Sequence, residues 1–167
     1  NTVAGSHAFV GGGQNNTITS DSIHSTIGGG MANTVAGSHA FVGGGQNNTI
    51  ATGSIHAVIV GGGGGAGLGN AVTTARRAFV GAGRSNVIQA GADDSFIGAG
   101  QSNRIISTSA DATRDSAIVG GVDNVVDTTR CVVHGRSFIG AGDACQVRGA
   151  LSGIVAGGFV GPPNANI

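Results

Sequence analysis

The chain has 167 residues, 34 of them glycine, and its eight arginines and eight aspartates cancel to a formal charge of zero. It contains no lysine, glutamate, tryptophan or tyrosine, a composition that disfavours helices and favours short strands joined by turns. Neutral charge without a basic block gives no reason to expect nucleic acid or an anionic membrane as a partner. No apolar run is long enough to span a bilayer, so we expect no membrane insertion by this segment.

A short repeat begins the chain and organises the rest of it. The first 18 residues return letter for letter at 33–50, and a degenerate copy lies between them. The repeat unit is therefore 15 to 17 residues long. A unit this short buries its apolar side chains only against neighbouring units, which is typical of a solenoid.

Each unit carries two strand signals, both short, alternating and followed by turn residues. The first is an asparagine followed two residues later by Val or Ile, at Asn1, Asn16, Asn33, Asn48, Asn70, Asn86, Asn103 and Asn124. The second is an apolar pair, at Phe9-Val10, Thr26-Ile27, Phe41-Val42, Val58-Ile59, Phe79-Val80, Phe96-Ile97, Ile118-Val119 and Phe138-Ile139. The fold class is therefore all-β, a β-solenoid with two short strands per coil.

The two connections within a unit differ in composition. The turn after the apolar pair is glycine-rich and nearly constant in length, whereas the other connection varies and carries most of the charged residues. We predict one repeat domain over 1–167, with regular coils at 1–60 and 70–105, a glycine-rich extended turn at 61–69, and long loops and the C-terminal end at 106–167. Because binding residues tend to lie on loops of a rigid scaffold, the candidate recognition residues are Asp111, Arg114, Asp115, Arg130, His134 and Arg136.

Alternation along the second strand places every other side chain outside. This predicts one outward apolar column, formed by Phe9, Phe41, Phe79, Phe96, Ile118 and Phe138. Such a stripe is a large exposed apolar patch unless something covers it, and copies of the same chain are the simplest cover because closed symmetric oligomers are common. We therefore expect self-association along this face.

Several polar residues recur as columns that could be mistaken for sites. The asparagines are interpreted as a side-chain amide ladder. Four histidines share one position, and they form either a hydrogen-bonded ladder or, on an oligomer axis, an ion site; they are His7, His24, His39 and His56. Cys131 and Cys145 are 14 residues apart, so a disulfide between adjacent coils and a reduced pair are both open interpretations.

No cofactor or metal is predicted. The stretch Gly62-x-Gly64-x-x-Gly67 formally matches a dinucleotide fingerprint, but that motif needs a following helix to meet the pyrophosphate. Here another repeat unit follows instead. An enzyme is not expected, because the chain has no glutamate and its aspartates lie in loops without a predicted common cleft.

The repeats have the pattern Gly-Gly-Gly-x-x-Asn-x-[VIA] followed by Ser-x-[VI]-Gly-Gly-Gly. In this they resemble the YadA-like heads of trimeric autotransporter adhesins and repeats of virus and phage appendage proteins. The matching segments are His7–Ile18, Ser25–Val35, His39–Ile50, Ala78–Ile88 and Ser95–Ile105. The resemblance implies a left-handed β-roll that forms a homotrimeric rod in a fibre on a cell or virion surface.

Together these features predict a non-enzymatic structural or attachment module of an extracellular or virion fibre. Its expected partners are further copies of itself and a host surface receptor or matrix component. The alternative is a self-assembling filament or an appendage shaft without its own receptor site. An ice-binding face fits less well because the Asn-Thr-Val-Ala-Gly register decays after Ile50, and a tailspike glycosidase fits poorly because it needs paired acids.

Overall fold

In the computed structural model the chain winds as a parallel β-solenoid with two short strands in each coil. The structure describes residues 1–107, 114–127, 136–149, 151–155 and 157–158. We number coils 1 to 8 by their asparagine positions, which are residues 1, 16, 33, 48, 70, 86, 103 and 124. Within the described residues no helix could cross a membrane.

Two nine-stranded parallel sheets run side by side along the solenoid. The Asn sheet, whose strands follow the asparagines, contains Thr2–Val3, Thr17–Ile18, Thr34–Val35, Thr49–Ile50, Ala71–Val72, Val87–Ile88, Arg104–Ile106, Val125–Asp127 and Gln146–Val147. The Phe sheet contains Phe9–Val10, Thr26–Ile27, Phe41–Val42, Val58–Ile59, Phe79–Val80, Phe96–Ile97, Ala117–Ile118, Phe138–Ile139 and Gly153–Ile154. A third, two-stranded sheet pairs Gly142–Asp143 with Gly157–Gly158.

Coil length varies without disturbing the sheets. Successive asparagine positions are joined by hydrogen bonds across 15, 17, 15, 22, 16, 17, 21 and 21 residues, the last ending at Cys145. The 22-residue coil contains the glycine-rich turn at 61–69, and the two 21-residue coils contain the long connections at 106–117 and 127–137. In each case the extra residues fall between the ends of successive strands, and both sheets continue on either side of them.

The interior is narrow and built from stacked columns. Each sheet contributes one column of Val or Ile that is almost completely buried except at the ends, at Val3, Val10 and Ile154, and a column of Ala or Ser lies just before the Phe-sheet strands. Small residues fit there because each coil has only two short strands, so the interior between the two sheets is narrow. The serines of this column use their hydroxyls between coils, as Ser25 Oγ does when it donates to the Gly37 carbonyl at 2.9 Å and accepts from the Ala40 amide at 3.2 Å.

The register of coil 7 corrects the sequence prediction. Ile118 pairs with Ile97 and Ile139 and is 0% exposed, so it belongs to the core and its assignment to the outward apolar column is wrong. Ala117 occupies the outward position instead, next to Phe96. The apolar run in the sequence begins one residue before the pair that we aligned. Because side chains alternate with a period of two, a slip of one residue exchanges the faces.

Buried asparagines connect every coil to the next. The side-chain oxygen of Asn48 accepts the Asn70 amide at 3.0 Å, and its Nδ2 donates to the carbonyls of Gly44 at 2.9 Å and Gly62 at 3.0 Å. The same pattern recurs at the other asparagine positions, all buried except Asn1. This confirms the predicted amide ladder, which satisfies backbone groups of the glycine turn that burial would otherwise leave unpaired.

The glycine turn requires a left-handed backbone at one specific residue. In coil 3 that residue is Gly45, with φ of 88°, where an added Cβ would lie 2.0 Å from the carbonyl oxygen of Gly62. Nothing lies within 4 Å of a Cβ added at the neighbouring Gly44. The third glycine of the motif is thus needed both for its conformation and for the close approach of the next coil.

The amide ladder predicts a large effect for a single truncation. Asn48→Ala leaves the Asn70 amide and the Gly44 carbonyl without the bonds that Asn48 makes to them, whereas the Gly62 carbonyl keeps the Gln46 amide. Each buried unsatisfied group costs about 1–3 kcal/mol. We expect the free energy of unfolding to fall by roughly 3 kcal/mol or more, measured by urea denaturation with far-UV circular dichroism, since the chain lacks Trp and Tyr. Gln46→Ala, two residues away, is the matched control and should change stability little. Equal losses in the two variants would contradict a specific role for the ladder.

Candidate functional site

The outward face of the Phe sheet carries a continuous column of mostly apolar side chains. We call it the phenylalanine column; it consists of Phe9, Thr26, Phe41, Val58, Phe79, Phe96, Ala117 and Phe138. Four of its phenylalanines remain 38–59% exposed, and Phe79 and Phe96 stack with ring centroids 5.2 Å apart. The predicted outward orientation of the five phenylalanines is therefore confirmed.

The rings of this column lie over the glycine two residues later. A Cβ added at Gly11, Gly43, Gly81, Gly98 or Gly140 would meet the Cε1 atom of the preceding phenylalanine at 3.2–3.4 Å. Since i and i+2 share a face of a strand, each ring covers a position that has no side chain of its own. The Phe-x-Gly spacing therefore gives a flattened apolar surface.

Where the column lacks phenylalanine, valine takes the glycine position in most coils. Val58, Ala117 and Gly153 are followed two residues later by Val60, Val119 and Val155, which are 49%, 50% and 83% exposed. The coil with Thr26 is the exception, since glycine follows it. Apolar surface is thus supplied at nearly every coil, either by a ring lying over glycine or by a small residue followed by valine.

A second column lies two residues before the phenylalanine column. Its first members are His7, His24, His39 and His56, whose rings stack with centroid separations of 4.7, 5.2 and 5.0 Å. All four have a left-handed backbone with φ between 54° and 59°, which aligns their side chains along the solenoid. We call these four residues the histidine column.

The same position carries charged residues in coils 5 to 8. There the residues are Arg77, Asp94, Asp115 and Arg136. Arg77 donates from Nη2 to Asp94 at 2.8 Å, and Arg136 donates from Nε to Asp115 at 3.1 Å. The hydrogen bond from Arg77, and then its charge, hold the pKa of Asp94 below the usual range against the effect of burial. Sequence reasoning missed this continuation, although counting two residues back from each column position would have found it.

A neighbouring pair is more deeply buried. Asp93 is 3% exposed and accepts both the backbone amide of Arg76, at 2.8 Å, and its Nε, at 3.0 Å. This pair joins coils 5 and 6 one residue before the Arg77–Asp94 pair. Two adjacent ion pairs therefore fix the variable edge of the solenoid at this point.

The candidate recognition residues lie only partly within the described structure. Asp111, Arg130 and His134 lie outside it. Asp115 and Arg136 are paired with one another as given above, and Arg114 is half-buried. The structure thus brings two of the six together, through the column rather than through a shared loop.

Cys145 occupies the ninth asparagine position, has a free thiol, and donates its backbone amide to Asn124 at 3.0 Å. Cys131 lies outside the described residues. Over the described ranges no three His, Cys or Asp side chains are grouped so that they could hold a metal ion.

Comparisons of the chain with protein-family models, with curated proteins and with solved structures gave no match.

The Arg77–Asp94 pair makes stability depend on pH in a definite direction. A carboxylate whose pKa is lower in the folded state stabilises the fold above its ordinary pKa, near 4, and this contribution is lost as the pH falls through the folded-state pKa. Asp94→Asn should therefore lower the urea midpoint relative to the parent at pH 7, and the difference should shrink at pH 3. Asp123→Asn is the matched control, because Asp123 is also exposed with a left-handed backbone, at φ of 53°. A difference that grows on acidification would contradict the assignment.

Proposed function

We propose that this chain is a non-enzymatic structural and attachment module of a fibre on a cell or virion surface. In this proposal three copies of a left-handed β-roll associate side by side into a homotrimeric rod. The resemblance of the repeats to trimeric adhesin heads and to phage appendage repeats motivates the number three and the handedness. The parallel two-strand coil is the architecture that such a rod needs.

The observation that carries the proposal is the apolar surface along the Phe sheet. The eight strands that carry the phenylalanine column are about 4.8 Å apart, so the column extends roughly 34 Å along the rod. Contiguous exposed apolar surface of this length on a soluble protein marks an interaction site. Its flattening by the Phe-x-Gly spacing suits close packing against an equally straight surface.

A second copy of the chain fits this surface better than an unrelated partner. The spacing of the rings follows the coil repeat, and only another solenoid of the same repeat presents matching rings and gaps at that interval. The substitution of valine for glycine at Val60 and Val119 keeps apolar contact where the column has Val58 and Ala117. A self-complementary face repeated around a closed axis is the usual geometry of homo-oligomers.

Assembly through the phenylalanine column is tested by sedimentation and light scattering. We expect the parent to be trimeric. In Phe41→Asp a buried interface anchor is replaced by a charge, so the protein concentration at which half of the trimer dissociates should rise at least about tenfold. Thr34→Asp places the same charge on the outward column of the Asn sheet and should leave the trimer intact. Phe41→Thr is a second variant that should fold normally, because threonine already occupies this column at Thr26. A folded monomeric parent would contradict the proposal.

The second candidate is a shaft without its own receptor site. The letter-for-letter identity of 1–18 and 33–50 favours it for the N-terminal part, because an identical surface offered twice presents no unique epitope. In the attachment proposal, receptor contact therefore falls to the irregular, charged connections of coils 7 and 8.

Shortening both connections, 106–117 and 127–137, to the length of residues 4–9 separates the two candidates. If the module attaches through them, the variant should remain trimeric and lose adhesion to host cells or matrix-coated surfaces at least about tenfold. A trimeric variant that adheres like the parent would exclude these connections as the receptor site. Adhesion absent in the parent as well would favour the shaft.

A further inference from the structure

The histidine column differs from the rest of its own register in having no counter-charge within it. In coils 1 to 4 all four members are imidazoles, whereas in coils 5 to 8 the same position holds Arg77, Asp94, Asp115 and Arg136, paired as two ion pairs. In this register, coils 1 to 4 thus contain ionisable side chains without counter-ions, whereas in coils 5 to 8 the charges neutralise one another in pairs.

Few other charges face the histidines. In residues 1–69 the only other charged side chain is Asp21, which is exposed and lies three residues before His24. From coil 5 the nearest are Arg76 and Arg77, bound to Asp93 and Asp94. The residues just before the histidines, in the register next to them, are Ser6, Ile23, Ser38 and Ile55, all without charge. No carboxylate therefore stands within the histidine column itself.

All the histidines of the described residues lie in these four coils. Imidazole is the side chain that ordinarily gains its proton between pH 8 and pH 5. Apart from the terminus, the ionisable side chains of residues 1–69 are one carboxylate and four imidazoles. The ring separations of 4.7–5.2 Å are shorter than the screening length of about 8 Å at physiological salt.

Repulsion between protonated rings would act along the solenoid axis, and this direction matters for the fold. The rings follow one another along the solenoid axis, each in a different coil, so like charges on neighbouring rings oppose the stacking of one coil on the next. All four rings are exposed, and the left-handed backbone at each histidine, at φ of 54–59°, places their side chains at the same corner of successive coils.

We propose that the histidine column is an acid-sensitive element that loosens coils 1 to 4 below about pH 6 while coils 5 and 6 stay closed. Protonation of adjacent rings raises the free energy of the stacked coils and increases the population of locally open states. The element acts within one chain, so it does not depend on the proposed trimer or on attachment.

Hydrogen exchange of the full chain at pH 7.5 and pH 5.0 tests this, with rates converted to protection factors so that the intrinsic effect of pH is removed. Protection in coils 1 to 4 should fall about tenfold or more at pH 5.0, and protection in coils 5 and 6 should change little. The paired coils are the internal control in every sample.

Two variants identify the cause. The double variant His24→Asn and His39→Asn should abolish the fall, and asparagine tolerates the left-handed backbone at these positions. His24→Asp places a carboxylate between His7 and His39, so acidification to pH 5.0 should then maintain or raise protection. An equal fall in both halves of the parent, no fall at all, or a fall that persists in the asparagine variant would each overturn the proposal.

Discussion

The structure depends on one buried amide per coil. Each asparagine binds the glycine turn of its own coil and that of the next, and it also receives the backbone amide of the following asparagine, as the 3.0 Å bond from Asn33 N to Asn16 Oδ1 shows. These bonds fix both the spacing and the lateral register of successive coils. Once they are made, every other position in the unit falls into a column, because a parallel ladder places equivalent residues one above another.

Columns explain why the chain can combine strict and variable features. A side chain within the ladder meets the equivalent side chain of the next coil about 4.8 Å away. This arrangement suits Val and Ile in the core, Asn at the turn, and stacked His or paired Arg and Asp outside. A residue in a corner meets no such constraint, and coil length can increase to 22 residues, as it does between Asn48 and Asn70, while the amide bond stays at 3.0 Å. The solenoid is thus regular where backbone groups are buried and irregular where they meet water.

Most of the fold could be predicted from the sequence because the repeat length can be measured directly from the identical blocks. The identical blocks at 1–18 and 33–50 give the coil length, and the asparagine and apolar-pair signals give the two strands. The register failed in coil 7, where Ile118 was placed outside, since three apolar letters in a row do not reveal which one starts the alternation. The ion pairs of Arg77 and Arg136 were missed because a composition-based view treated them as solvated loop charges rather than as members of the histidine register.

The outward surface shows how the sequence maintains a face through substitution. Glycine follows each phenylalanine by two residues because the next coil approaches closely there: a Cβ added at Gly98 would lie 2.4 Å from the Val119 carbonyl oxygen and 3.2 Å from Cε1 of Phe96. Where Val58 and Ala117 replace phenylalanine, valine occupies the position two residues later, at Val60 and Val119. Gly28 follows Thr26 and has the same constraint as the other glycines, since a Cβ there would lie 2.4 Å from the Gly43 carbonyl oxygen. The Phe sheet therefore keeps glycine or valine at each of these positions, whereas the outward column of the Asn sheet includes both Thr49 and Arg104.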